Sequence, residues 1–167
     1  MKKQDSAPMN PLPLDSETMP LWSRAGFLIR RLNQIHYAMF LSECEEFDLT
    51  PVQYGVLTEL REHPDIDQIS LAQEVGIDRS NAADILRRLE KRGLVSRHPS
   101  QRDRRMKLSR LTEEGERITQ RMYDSMRRAQ DKLLAPLPPE DQNAFIMMLM
   151  RLVSANNHLG RAVFHPT

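Results

Sequence analysis

The sequence contains a single cysteine, Cys44, so no intramolecular disulfide can form and no cysteine-based zinc site fits within one chain. Such a thiol is either an inert buried side chain or a redox sensor, and the sequence leaves both readings open. No apolar run approaches the roughly 18 residues needed to span a bilayer. The start, from Met1 to Pro20, is polar and lacks an apolar signal core, so a cytoplasmic protein without membrane contact is expected. There is no P-loop, dinucleotide fingerprint or nucleophile elbow, which argues against the common nucleotide enzymes and hydrolases. His36, His63, His98, His158 and His165 include no pair at the helical i, i+4 spacing of a metal site. No catalytic residue, metal or cofactor is therefore expected. A length of 167 residues excludes a large multidomain enzyme and suits one compact domain or two small modules sharing a core.

The sequence also has almost no net charge, +1 overall, but that balance hides a division along the chain. Between Asp78 and Arg110 there are 11 Lys or Arg against 4 Asp or Glu, whereas the rest carries 13 basic and 19 acidic residues. Cations gathered where phosphates approach, with acidic surface elsewhere, suit a nucleic-acid face. A merely solvated charged helix would mix the signs more evenly.

Pro8, Pro11, Pro13 and Pro20 among polar residues make residues 1 to 20 a flexible arm. From about Leu21 to Phe47, Leu28, Leu32, Ile35 and Met39 fall at helical spacing, and Ile29, His36 and Phe40 follow a neighbouring line. Thr50 followed by Pro51 reads as an N-cap and first-turn proline, opening a helix that runs through Val52, Val56, Leu57 and Leu60 to Pro64. Ser70 is positioned to cap a short helix ending at Gly76. Asp78 then caps a helix whose Ala82, Ile85, Leu86 and Leu89 form one apolar stripe. Two short helices joined at Gly76 and Ile77, the second with a polar and basic outer face, describe a helix-turn-helix. Leu94 to His98 and Lys107 to Leu111 read as paired strands, with the charged loop Pro99 to Met106 as a wing. Thr112 caps a long helix to about Leu134, with Ile118, Met122, Met126, Ala129 and Leu133 inward. After Pro136, Pro138 and Pro139 a last helix runs to about Val163, with Phe145, Met148, Leu149, Leu152 and Leu159 along one side.

The expected fold is thus mainly α with a small β-hairpin: a winged helix-turn-helix over 48–111 and a helical dimerisation region over 21–47 and 112–163. A small DNA reader does not need apolar terminal helices for its own core. Their expected use is pairing with a second copy through Leu28, Leu32, Leu149 and Leu152, since a two-fold dimer presents two recognition helices to half-sites about one DNA turn apart. On the recognition helix, Arg79, Ser80, Asn81, Asp84, Arg87 and Arg88 share the outward face, where Asn81 can pair with adenine, Asp84 can accept from cytosine and an Arg can pair with guanine.

These residues resemble the MarR family of bacterial regulators. Leu49-Thr50-Pro51-Val52-Gln53-Tyr54 looks like the family's second helix start, and Leu86-Arg87-Arg88-Leu89-Glu90-Lys91-Arg92-Gly93-Leu94-Val95 like the end of its recognition helix. The run from Asp103 to Gly115 fits the family's wing signature: Asp, any residue, Arg, five residues, then Leu-Thr. The likeness spans roughly 21 to 162 and implies that Asp103 orients Arg105, which would enter the minor groove. An Arg at a hairpin tip is independently attracted to the negative potential of a narrow A·T-rich minor groove. Arg102, Arg104 and Lys107 are expected to touch phosphates or simply to be solvated.

The run from Phe27 to His36 also resembles family members that govern aromatic-acid breakdown and respond to aromatic acids or their coenzyme A thioesters. His36 and Phe40, one turn apart, place a polar tip beside an aromatic wall. Trp22, Phe27 and Tyr54 extend that wall, and Arg24, Arg30 or Arg31 would meet a carboxylate or coenzyme A phosphates. The expected protein is a repressor binding double-stranded DNA as a homodimer and released by a small-molecule effector. The rivals are an effector-independent architectural DNA binder, a redox- or metal-sensing regulator, and a small enzyme with an unrecognised site.

Overall fold

The computed structural model describes residues 20–160. The arm expected over 1 to 20, apart from Pro20, and the turns expected beyond Gly160 lie outside the described residues. A short 3-10 helix, Leu21–Ser23, leads into α1 (Ala25–Glu43), and another, Glu45–Phe47, follows it. Next come α2 (Pro51–Glu62), β1 (Ile66–Asp67), α3 (Gln68–Val75), α4 (Arg79–Lys91), β2 (Val95–Pro99), β3 (Lys107–Leu111), α5 (Glu113–Leu134) and α6 (Pro139–Asn156).

The start of α2 is set as its sequence suggests: Thr50 Oγ1 accepts from the Gln53 N–H, while Gln53 Oε1 accepts from the Thr50 N–H, a reciprocal capping box. Capping of α3 differs from expectation. Asp67, not Ser70, is the N-cap, accepting from the N–H groups of Ile69 and Ser70. The Ser70 hydroxyl instead donates to the second oxygen of Asp67 at 2.6 Å. A carboxylate serves both helix N–H groups and the hydroxyl at once, so it outcompetes the lone hydroxyl three residues later. Burial raises the Asp67 pKa, but the bonds from Ser70 and Ile69 outweigh it and hold the carboxyl below its ordinary range.

The sheet has three strands rather than two, in the order β1-β3-β2, all antiparallel. β2 and β3 pair from Val95 with Leu111 to Pro99 with Lys107, and β1 adds Ile66 opposite Ser109. A two-residue strand carries no periodicity that a sequence reading could detect. Asp65, just before it, binds Arg110 through two hydrogen bonds of 2.7 Å and approaches His98 Nε2 at 3.2 Å, fastening the strand edge.

One core joins α2, α3, α4, the sheet and the start of α5, with Val56, Leu57, Leu60, Leu71, Leu86, Leu89, Leu94 and Met122 buried. Phe40 at the end of α1 and Phe47 after it reach into the same core. α5 begins where Thr112 caps it and donates its hydroxyl to the Gly93 carbonyl. Gly115 then passes against the Leu94 carbonyl so closely that a Cβ there would lie 2.0 Å from the oxygen. This glycine fixes how the long helix leaves the wing. α5 packs along α1 but buries Thr119, Met122, Ser125, Ala129 and Leu134, with Ile118, Met126 and Leu133 only half-buried. α6 buries no residue at all.

Candidate DNA-binding face and ligand cavities

The turn between α3 and α4 depends on Gly76, whose φ of 71° lies in the left-handed region that a side chain disfavours. It lets the Ile77 N–H donate back to the Ala72 carbonyl at 2.9 Å and delivers Asp78 to the α4 cap. Asp78 accepts from the Asn81 N–H at 2.8 Å and from the Ser80 hydroxyl at 2.6 Å, so Ser80 is already engaged in starting the helix. α4 buries Ala82, Ile85, Leu86 and Leu89. Its other side exposes Arg79, Ser80, Asn81, Asp84, Arg87, Arg88 and Lys91. Asp84 does not stand free for a base: its carboxylate accepts from Arg87 Nη2 at 2.5 Å. That pair directs the guanidinium along the outer face.

The wing loop is built from backbone bonds. Met106 accepts from the Ser100 N–H at 2.8 Å, closing the loop at its base. Asp103 Oδ1 accepts from the Arg105 N–H at 2.9 Å, and the Asp103 carbonyl accepts from the Met106 N–H. Asp103 thus sets the turn on which Arg105 stands by holding backbone, not guanidinium. Arg102, Arg104, Arg105 and Lys107 are all exposed around it.

Between the wing and α4 runs a groove of about 390 Å³ that brings Arg79, Arg105 and Lys107 together with Gln68 and Arg97. Sequence reasoning missed the last two. Gln68 Oε1 accepts from Arg97 Nη2 at 3.1 Å, and its Nε2 donates to the Arg79 carbonyl at 3.2 Å. One amide therefore ties a wing strand to the first residue of α4. Arg97 Nε is buried without a hydrogen-bond partner among the described residues. Arg97 was visible as part of the basic segment, but nothing in the sequence marks Gln68.

The expected effector residues are only partly brought together. His36, half-buried, lines a cavity of about 130 Å³ with Leu32, Met126, Gln130, Phe145 and Leu149. Phe40 is fully buried in the core, and Tyr54 packs half-buried against it, its phenol pushed up by burial. Trp22 is exposed. Phe27 lies under the Arg30 guanidinium, 5.2 Å from the ring centre, and Arg31 donates to Gln34. Arg24 occupies the position before α1. Cys44 is buried, and that burial pushes its thiol up, the opposite of a thiolate poised to react. Among the described residues no three His, Cys, Asp or Glu side chains converge to hold a metal, and no helix is long and apolar enough to cross a membrane.

Comparison with known proteins returns the same architecture. The MarR family model matches residues 49–107. The transcriptional regulator HosA of Escherichia coli O111:H- is 31% identical over 137 residues, which cover 82% of this chain and 100% of that protein. The PcaV transcriptional regulator from Streptomyces coelicolor, solved with its natural ligand, superposes with a TM-score of 0.78 at 35% identity over 84% of this chain and 99% of its own. The transcriptional repressor CouR, solved on a 23-mer DNA duplex, superposes with a TM-score of 0.76 at 30% identity, covering 80% of this chain and 94% of its own. CouR from Rhodococcus jostii RHA1 bound to p-coumaroyl-CoA gives 0.71 at 27% identity over 83% of this chain and 95% of its own.

Proposed function

This chain belongs to the MarR family of transcriptional regulators, and from that premise we propose that it binds a palindromic operator as a homodimer, represses transcription there, and is released by an aromatic acid or its coenzyme A thioester. The observation that carries this reading is an exposed basic face: Arg79, Arg87, Arg88 and Lys91 on α4 beside Arg102, Arg104, Arg105 and Lys107 on the wing. An exposed helix flanked by a cationic hairpin matches a major groove and the adjoining minor groove. Binding of DNA by CouR, and the name repressor it carries, support the same use here.

The homodimer is supported by what the chain leaves uncovered. Leu28 is 46% exposed, Leu152 55% and Met148 60%, and α6 has no buried residue. Apolar faces on both terminal helices suit a self-complementary partner. A cavity of about 130 Å³ beside His36 is close to the roughly 150 Å³ that accommodates benzene in an engineered core. One aromatic ring fits there, with His36 at its polar edge. Because this cavity lies between α1, α5 and α6, its occupant would bias the dimer geometry and hence the spacing of the two recognition helices.

The experiment is an anisotropy titration of the full chain on palindromic fragments from its own upstream region and on random DNA, at several salt concentrations. Tight, salt-dependent binding to one fragment, reversed by p-coumaroyl-CoA or 4-hydroxybenzoate, is expected. Equal affinity for random DNA would identify an architectural binder instead, and operator binding insensitive to every aromatic acid and thioester tried would remove the effector.

A further inference from the structure

We propose a second ligand site, for a phosphorylated molecule with a planar ring, in the groove between the end of α1, the start of α2 and the C-terminal end of α4. The groove measures about 870 Å³, toward the upper end of the roughly 300–1,000 Å³ typical of small-molecule sites. It is several times larger than the cavity beside His36, and its lining is of a different kind.

One wall is Tyr37 and Leu41, which α1 leaves exposed. The facing wall belongs to α4, where Arg88 and Lys91 make no side-chain hydrogen bond or ion pair among the described residues. Arg92 closes the end by donating to the carbonyls of Phe47 and Asp48. Asp48 has a φ of 48°, so that turn is held in a conformation a non-glycine residue rarely adopts. The Glu45 and Asp48 carboxylates border the same space and offer acceptors.

Each part selects the ligand. Arg88 and Lys91, one turn apart on α4 and neither held in an ion pair among the described residues, match a phosphate or diphosphate better than a single carboxylate. An exposed tyrosine ring is a stacking platform, and carboxylate acceptors suit the amino or hydroxyl groups of a nucleoside. A backbone phosphate of DNA would use the cations alone and leave Tyr37 and Leu41 without a role. A nucleotide uses all three. Since Arg88 also stands on the proposed DNA face, an occupant would compete with operator; that consequence, though not the site itself, rests on the function proposed above.

The test is calorimetric titration of the DNA-free full chain with ADP, pyrophosphate and benzoate. One ADP per chain is expected, with affinity falling about tenfold in Tyr37→Ala and retained in Tyr37→Phe, the usual scale for losing a ring beneath a base. An Arg88→Gln, Lys91→Gln double variant should lose ADP while keeping its melting temperature. Operator and ADP should weaken each other by the same factor. No ADP binding at millimolar concentration overturns the site, as does a Tyr37→Phe variant that melts normally but loses ADP. Pyrophosphate binding as tightly as ADP would make the groove a phosphate seat, and displacement of ADP by benzoate would make it the aromatic-acid site; either replaces the proposal. Operator binding is measured in the same samples without ADP. A chain that binds ADP but no operator retains the site and loses the repressor; the converse retains only the repressor.

Discussion

The amide of Gln68 bonds Arg97 Nη2 of the wing with its oxygen and the Arg79 carbonyl of α4 with its nitrogen, holding wing and helix in a fixed relation. Each bond is worth about 0.5–1.5 kcal/mol net in a typical setting. Gln68→Ala should therefore lower the melting temperature by several degrees, and weaken operator binding by the folded protein by about five- to tenfold besides, because wing and helix no longer arrive together. Anisotropy and thermal melting on the same preparation check this. Loss of both in proportion would mean that Gln68 serves stability alone.

The wing should separate by role. Arg105→Ala is expected to lower operator affinity about tenfold or more without altering the melting curve, since its side chain is exposed and supports no core. Asp103→Ala should act in the same direction but less, because it frees the Arg105 backbone rather than removing the charge. Melting curves alongside fluorescence-based operator titrations decide it; a destabilised variant whose folded fraction binds normally would contradict the assignment.

Much of this arrangement was legible in the sequence, and the exceptions share a cause. Thr50-Pro51, Gly76, Asp78 and Thr112 announce helix boundaries through local chemistry, and the structure uses each of them. The α4 stripe of Ala82, Ile85, Leu86 and Leu89 is likewise buried as its spacing requires. The reading faltered where a residue acts over a long sequence distance or competes with a near neighbour. Asp67 displaced Ser70 as a cap, Gln68 reaches a residue 29 positions away, and β1 exists only because β3 is there to pair with it. His36 and Phe40, one turn apart on α1, part company because the first faces α5 and α6 while the second enters the core. A helical period gives the face of a residue but not what lies opposite.

Substituting Leu152→Glu should yield a monomer by light scattering and reduce operator affinity at least tenfold, because each half-site would then be bound alone. The side chain is too exposed in a single chain for the change to unfold it directly. An unchanged dimer mass would move the interface elsewhere.

Gly115→Ala tests the junction of wing and long helix. With the new Cβ 2.0 Å from the Leu94 carbonyl oxygen, backbone must move, and a loss of about 2–4 kcal/mol is expected in urea unfolding. If the variant is as stable as the parent, the close approach does not exist in solution.

Acid should loosen α1 from α5. Hydrogen bonds from Lys132 and Arg128 hold the Glu43 carboxyl below its ordinary value of 4.5, so their contribution is fully present above that value and lost as pH falls through the lowered one. Urea midpoints at pH 7 and pH 3 should differ less in Glu43→Gln than in the parent. An identical difference in both would assign the acid sensitivity to other carboxylates.

In the homodimer proposed above, a helix such as α6, with nothing of its own buried, would take much of its order from the second chain, and abundance would become a structural variable. Association contributes to stability by mass action, so in such a dimer the folded fraction of the terminal helices, and their melting temperature, would rise with protein concentration. With few copies present, the unpaired chain would expose apolar faces that proteases and chaperones engage. A cell that regulates how much of this protein it makes would then also be regulating how completely each copy is folded.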